Sequence, residues 1–386
     1  MIGLSPDIYW EFELSDVANL SANVAMRSYI QRIATGPEMS KDLSLDEARD
    51  GMRLILDGKV DPVQAAIFLI ALRMKRETHE ENRGVLQALL EVTDTATAEI
   101  DELVDVADPY DGYTRGLPIT AFLPCVLAAC GVPAVSHGAE AVGPKYGVTQ
   151  RKVLRAAGKN IDCTSQQVAQ RVADAEIGWA YVDQRHFCPK LHELVNLRTL
   201  MVKRPCLTTV EVLLGPVRGK SKTHLMTGFV HKAYPPIYTM LARQAGFDSA
   251  MIIRGAEGGV IPSLSQVSRY FRYDAQTDDE EVRLAPKSLG IEQAERATPL
   301  PGDLPVPQTQ ADEIATTVDA DAAAKAAAET GLAALSGESG TAYDSLVYGA
   351  AICLSHIGRC VSLETGAEQA RQVLNSGDAL QRFNAG

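Results

Sequence analysis

The stretch that most constrains the fold runs over residues 104–149. A short apolar run, 103–107, stops at a turn-rich loop spanning 108–116. A long apolar run follows over 119–130. A second strand-like run, 133–135, then delivers Ser136-His137-Gly138 to another loop. Strand, glycine-bearing loop, helix, strand, loop is a βαβ unit. Ligands of parallel sheets bind where loops leave the carboxyl ends of strands. The functional site is therefore expected at these two loops.

Charge adds a second clue. The 386-residue chain carries a net −12, yet residues 141–272 hold 19 Lys and Arg against 8 Asp and Glu. That segment is +11 and the remainder −23. A basic middle between acidic ends attracts phosphate or nucleic acid, or is balanced by acidic neighbours. Seven scattered cysteines without a CxxC fit a reducing cytoplasm rather than a disulfide framework. The first residues carry acids where a signal peptide needs positive charge, and no apolar run reaches the length of a membrane span.

Read in order, residues 1–25 look like an extension, with Leu14, Val17, Leu20 and Val24 on one face of a short helix. Residues 26–98 form a small helical domain. Ser44 and Thr78, each with a glutamate three residues on, predict capping boxes, and Asp61-Pro62 opens another helix. Residues 191–203 read as a further helix. Residues 274–318 suit surface β-structure, and the last helices are expected over 321–335, 343–357 and 363–374.

ILDGKVDPVQAAIFLIALRMKRET (55–78), ACGVPAVSHG (129–138), LLGP (213–216), RLAPKSLGI (283–291) and the stretch over 348–380 carry a resemblance. Residues 26–386 resemble the anthranilate phosphoribosyltransferase family and the nucleoside phosphorylases of the same fold. The resemblance implies a helical domain over 26–98 joined by a single helix over 191–205, and a larger α/β domain over 99–190 and 206–386 with a mainly parallel sheet flanked by helices. It also implies phosphoribosyl pyrophosphate as donor, an aromatic or heterocyclic amine as acceptor, tryptophan biosynthesis, magnesium, and a homodimer through the helical domain. The family's GTGGD-type loop reads ADPYDGYTRG here, so Asp111 and Gly112 match. Its KHGNR loop reads SHGAE, so His137 and Gly138 match. Its magnesium-holding acidic pair reads Glu257-Gly258, which makes Glu257 the metal candidate. Residues 188–204 are more similar to a divergent branch that lacks the phosphate motif and includes a nucleic-acid-binding member with a basic groove. Arg115, Arg198 and Arg204 match basic positions of that branch.

The expected site then comprises His137 as the catalytic candidate, with Asp111, Gly112, Thr114, Arg115, Gly138, Lys145, Arg151, Arg198 and Arg204 for phosphate or substrate. Gly215 to Ser221 tempts a P-loop reading, but three residues separate its glycines where the motif needs four. Two functions stay open: phosphoribosyl transfer, and binding of single-stranded nucleic acid in a basic cleft without catalysis.

Overall fold

The computed structural model describes residues 21–36, 38–275, 277–307 and 318–386. Residues 1–20, and with them most of the expected N-terminal helix, lie outside that range. The first described helix is α1, Ala22–Ile33, followed by α2 (Leu45–Leu56), α3 (Pro62–Lys75) and α4 (His79–Leu90). Both expected capping boxes form: Ser44 with Glu47, and Thr78 with Glu81. Asp61 caps α3 with Pro62 at its first position. Glu81 also accepts from Leu43 N at 2.9 Å and meets Lys75 Nζ at 2.8 Å, so one buried carboxylate ties three segments together. α2 and α4 touch through Gly84, where a Cβ would stand 2.3 Å from Leu45 O.

The main sheet contains β2 (Glu102–Ala107), β3 (Ala134–Gly138), β4 (Trp179–Asp183), β6 (Lys222–Gly228), β7 (Ser249–Ile253), β8 (Ser268–Asp274) and β9 (Glu280–Leu284). Two further short strands, β1 (Ala96–Thr97) and β5 (Val217–Arg218), pair apart from it. The main order is β4-β3-β2-β6-β7-β8-β9. The first five strands run parallel, and β8 and β9 join as an antiparallel edge. Strand alternation divides the apolar residues between two cores. Leu103, Val135, Val182, Leu225 and Ile252 join the helical-domain core. Val104, Val106, Met226, Met251 and Ile253 face the C-terminal helices Ala320–Leu335, Thr341–His356 and Leu363–Asn375.

Three expectations change. Residues 119–130 form a 3-10 turn, Ile119–Phe122, before the helix Leu123–Ala129. Residues 191–205 are not one helix: Pro189–His192 and Val195–Met201 are separate, Val202 is left-handed at φ 60°, and Pro205 follows. Proline has no N–H to continue a helix and pushes the residue before it out of helical geometry. The chain also ends in an unexpected helix, Asp378–Ala385, whose Phe383 stacks on Trp179.

The topological switch lies between β2 and β6. The chain steps from β2 to β3 and β4 on one side, and from β6 to β7 on the other. Loops leaving β2 and β6 therefore diverge, which opens a crevice at their carboxyl ends.

Candidate functional site

The crevice is a cavity between the sheet and the helical domain. Pro109, Asp111, Lys145, Arg204 and Glu257 line it, with Arg73 and Glu77 of α3 and its exit on the opposite wall. The β2 loop is anchored from below by Asp108, whose buried Oδ1 accepts from Tyr113 OH at 3.0 Å and Val260 N at 3.2 Å. Burial pushes the Asp108 carboxyl up to about 6. Gly112 sits at φ +71°, and a Cβ there would meet Val148 O at 2.6 Å. Only glycine fits that turn. Pro109 offers no N–H at its place in this loop.

Asp111 is 3% exposed, and its Oδ2 accepts from Arg204 Nε at 2.8 Å. Glu257 stands in left-handed backbone at φ 52°. Its carboxylate accepts from Thr114 N at 3.0 Å, Thr114 Oγ1 at 3.1 Å and Arg115 N at 2.8 Å. Lys145 lies between the two acids. Its Nζ donates to Gly112 O at 3.0 Å and Glu257 O at 3.4 Å, and lies 3.7 Å from Asp111 Oδ1 and 3.8 Å from Glu257 Oε2. A magnesium ion needs oxygen ligands at about 2.0–2.1 Å with open coordination positions. Here an ammonium fills the space between the two carboxylates, and the residues present do not fit that ion. Among the described residues there is no group of three or more His, Cys, Asp or Glu able to hold a metal.

The structure therefore brings Asp111, Gly112, Thr114, Lys145, Arg204 and Glu257 together. It places His137 elsewhere. The His137 side chain is fully buried in β3, with Nε2 2.8 Å from Asp105 Oδ1 and Nδ1 bonded to Tyr110 OH. Tyr110 and Phe187 close over the ring edge-on, and His137 lines neither of the cavities described here. Gly138 is buried in the same strand, paired with Asp183. Arg151 is a buried hub bonded to Glu140, Asp162 and Asp183. Arg198 is 1% exposed and forks onto Glu211 at 2.6 and 2.8 Å. Neither arginine lines the crevice.

Arg115 points its exposed chain into a second cavity of about 640 Å³, shared with Arg254 and Arg296 on the far side of Glu257. The basic surplus sorts in a telling way. Arg151, Lys152, Arg155, Arg185, Lys190, Lys220 and Lys222 all pair with acids. Lys203, Lys232 and Arg254 have no acid partner within 4 Å among the described residues, and neither has Arg115. Lys203 neighbours Arg204, Lys232 neighbours the lining residue His231, and Arg254 and Arg115 line the adjoining cavity.

Sequence reasoning missed Asp105, Asp108, Tyr110 and Glu211. An acid inside an apolar strand, as at Asp105, and another directly at its exit, as at Asp108, were the available signals. Nothing in a separation of thirteen residues announces the Arg198–Glu211 pair.

Comparison with known proteins follows the same outline. Residues 27–93 match the glycosyl transferase family helical bundle domain, and 114–380 match its a/b domain. An uncharacterized protein of Aquifex aeolicus is 31% identical over 255 residues, covering 65% of this chain and 74% of that one. Anthranilate phosphoribosyltransferase of Sphingopyxis alaskensis is 27% identical over 92% of this chain and 98% of its own length. In fold, the Thermus thermophilus anthranilate phosphoribosyltransferase superposes with TM-score 0.68 at 19% identity, covering 94% of this chain and 97% of that one. The Saccharomyces cerevisiae enzyme, in complex with PRPP and Mg, superposes with TM-score 0.72 at 17% identity, covering 94% and 96%.

Proposed function

The chain belongs to the glycosyl transferase family, through both its helical bundle and its a/b domain, and we propose that its crevice binds single-stranded nucleic acid. One observation carries this reading. The cations and acids at the strand ends already satisfy one another, while Lys203 and Lys232, each next in sequence to a lining residue, and Arg115 and Arg254 of the adjoining cavity stand exposed with no acid partner among the described residues. A neutral floor with a cationic rim suits a chain of spaced phosphates better than one compact pyrophosphate. His231 and Tyr234, ring centroids 6.2 Å apart at the same mouth, supply faces for base stacking.

The test is fluorescence anisotropy of a labelled single-stranded oligonucleotide across a salt series. Affinity should fall linearly on logarithmic axes, with about 0.7 of slope for each phosphate neutralised. K203A, K232A and R254A should each reduce that slope. A salt-independent signal, or variants with unchanged slope, sinks the proposal.

Phosphoribosyl transfer from phosphoribosyl pyrophosphate, with anthranilate as the family's default acceptor, is the second reading. The near full-length similarity to named anthranilate phosphoribosyltransferases favours it. Displacement of the oligonucleotide by that donor well below the concentration at which free pyrophosphate competes would establish it instead.

The homodimer belongs to the same proposal. Val63, Ile67 and Met74 are exposed along α3, with Val24 on α1 and Leu200 in the last turn of the helix Val195–Met201. Such a stripe suits a second copy, and I67E should halve the mass seen by light scattering. Six of seven cysteines are buried and free, which supports the cytoplasmic placement. Among the described residues, no helix is long and apolar enough to cross a membrane.

A further inference from the structure

We infer that Lys145 is the resident cation of this crevice: its ammonium holds the place of a divalent metal ion, and the crevice takes its ligand without one. The surroundings of Nζ carry the argument. Four oxygens face it: the carbonyls of Gly112 and Glu257, and the carboxylates of Asp111 and Glu257. Two carboxylates and two carbonyls form the kind of all-oxygen shell that a hard cation takes. The oxygens come from two loops, one leaving β2 and one leaving β7. Lys145, from the loop after β3, reaches between them as a strut.

Spacing decides which cation fits. The four oxygens stand 3.0–3.8 Å from Nζ. Calcium requires about 2.3–2.6 Å and magnesium less. Both loops would have to close on a metal, and Lys145 would have to leave. With Lys145 in place that closure is blocked, and each acid is otherwise held facing the gap. Glu257 is held by Thr114 and Arg115, and Asp111 is held by Arg204. Charge points the same way. Asp111 and Glu257 are balanced by Lys145 and Arg204, so an added divalent ion would face two cations with no anion left over.

Removing the strut should therefore create the site it fills. K145A leaves Asp111 Oδ1, Glu257 Oε2 and both carbonyls open to one another. The inference concerns the cation and holds whatever ligand the crevice takes.

The experiment titrates Mn²⁺ into the full chain and follows the free-ion signal by electron paramagnetic resonance. Wild type should take up no stoichiometric Mn²⁺. K145A should take up one ion per chain, and K145A/E257Q should lose it. Melting curves confirm that each variant is folded, and K145Q provides the same readout should K145A not fold. A wild-type chain that binds one Mn²⁺, lost in E257Q, overturns the inference. So does a folded K145A and K145Q pair that gains none. In parallel, oligonucleotide affinity at matched ionic strength should be equal in EDTA and in magnesium. A gain of about tenfold or more with magnesium also overturns it.

Discussion

Replacing Arg198 separates a ligand-binding arginine from a structural one. Arg198 and Glu211 are each 1% exposed and joined by two charge-assisted bonds. R198A would leave Glu211 buried with Gln184 as its remaining side-chain partner, at 3.3 Å. Breaking a buried pair by removing one partner costs about 3–5 kcal/mol, and the surviving Gln184 bond argues for the lower end. R198M/E211L removes both charges at similar volume and should recover most of the loss, since apolar replacement of a buried pair is often neutral. Urea unfolding followed by circular dichroism measures both variants. The double variant should bind the oligonucleotide as wild type does. An R198A loss below about 1 kcal/mol, the range of exposed ion pairs, would refute the structural assignment. So would a stable double variant that no longer binds.

Y110F leaves the buried His137 Nδ1 without its partner and should cost about 1–3 kcal/mol, with oligonucleotide affinity unchanged; weakened binding with intact stability would return His137 to the site. G84A places a Cβ 2.3 Å from Leu45 O, so the helix–helix contact should lose about 1–3 kcal/mol to overpacking. That outweighs the roughly 1 kcal/mol that alanine gains over glycine in a helix, and a more stable variant in urea would contradict the contact. His356 shares Ser249 Oγ with His224, and burial first, then the neighbouring His224, lowers its pKa to about 3. Between pH 6.5 and 3 the unfolded chain then holds more protons at this position than the folded one. Stability should fall as pH drops through that window, by up to about 1.4 kcal/mol per pH unit from this residue. H356N should flatten the slope in pH-dependent melting, and an unchanged slope would mean the imidazole is not held neutral.

Periodicity and caps made the helical domain legible. Ser44, Asp61 and Thr78 are local signals, satisfied within three residues of themselves. The βαβ unit was equally visible, because strand and helix periods differ within a dozen residues. The break of the 191–205 helix was partly readable at Pro205, whereas the left-handed Val202 was not. The C-terminal helix is short, and its burial against Trp179 is a contact across some two hundred residues.

The site divides along the same line. Sequence alone placed the site at the loops after 107 and 138, and the family resemblance added Glu257; the strand order that brings these loops to one crevice came from the fold. Sequence also determined that the middle of the chain is basic. Only tertiary structure decided which of those charges remain free. Arg151 and Arg198 pair inward while Arg115, Lys203, Lys232 and Arg254 do not, and Lys145 reaches between two acids from separate loops. Residue identity fixes a side chain's charge. Whether that charge meets solvent, an acid or a ligand depends on which distant segment packs against it, and that is a property of the fold.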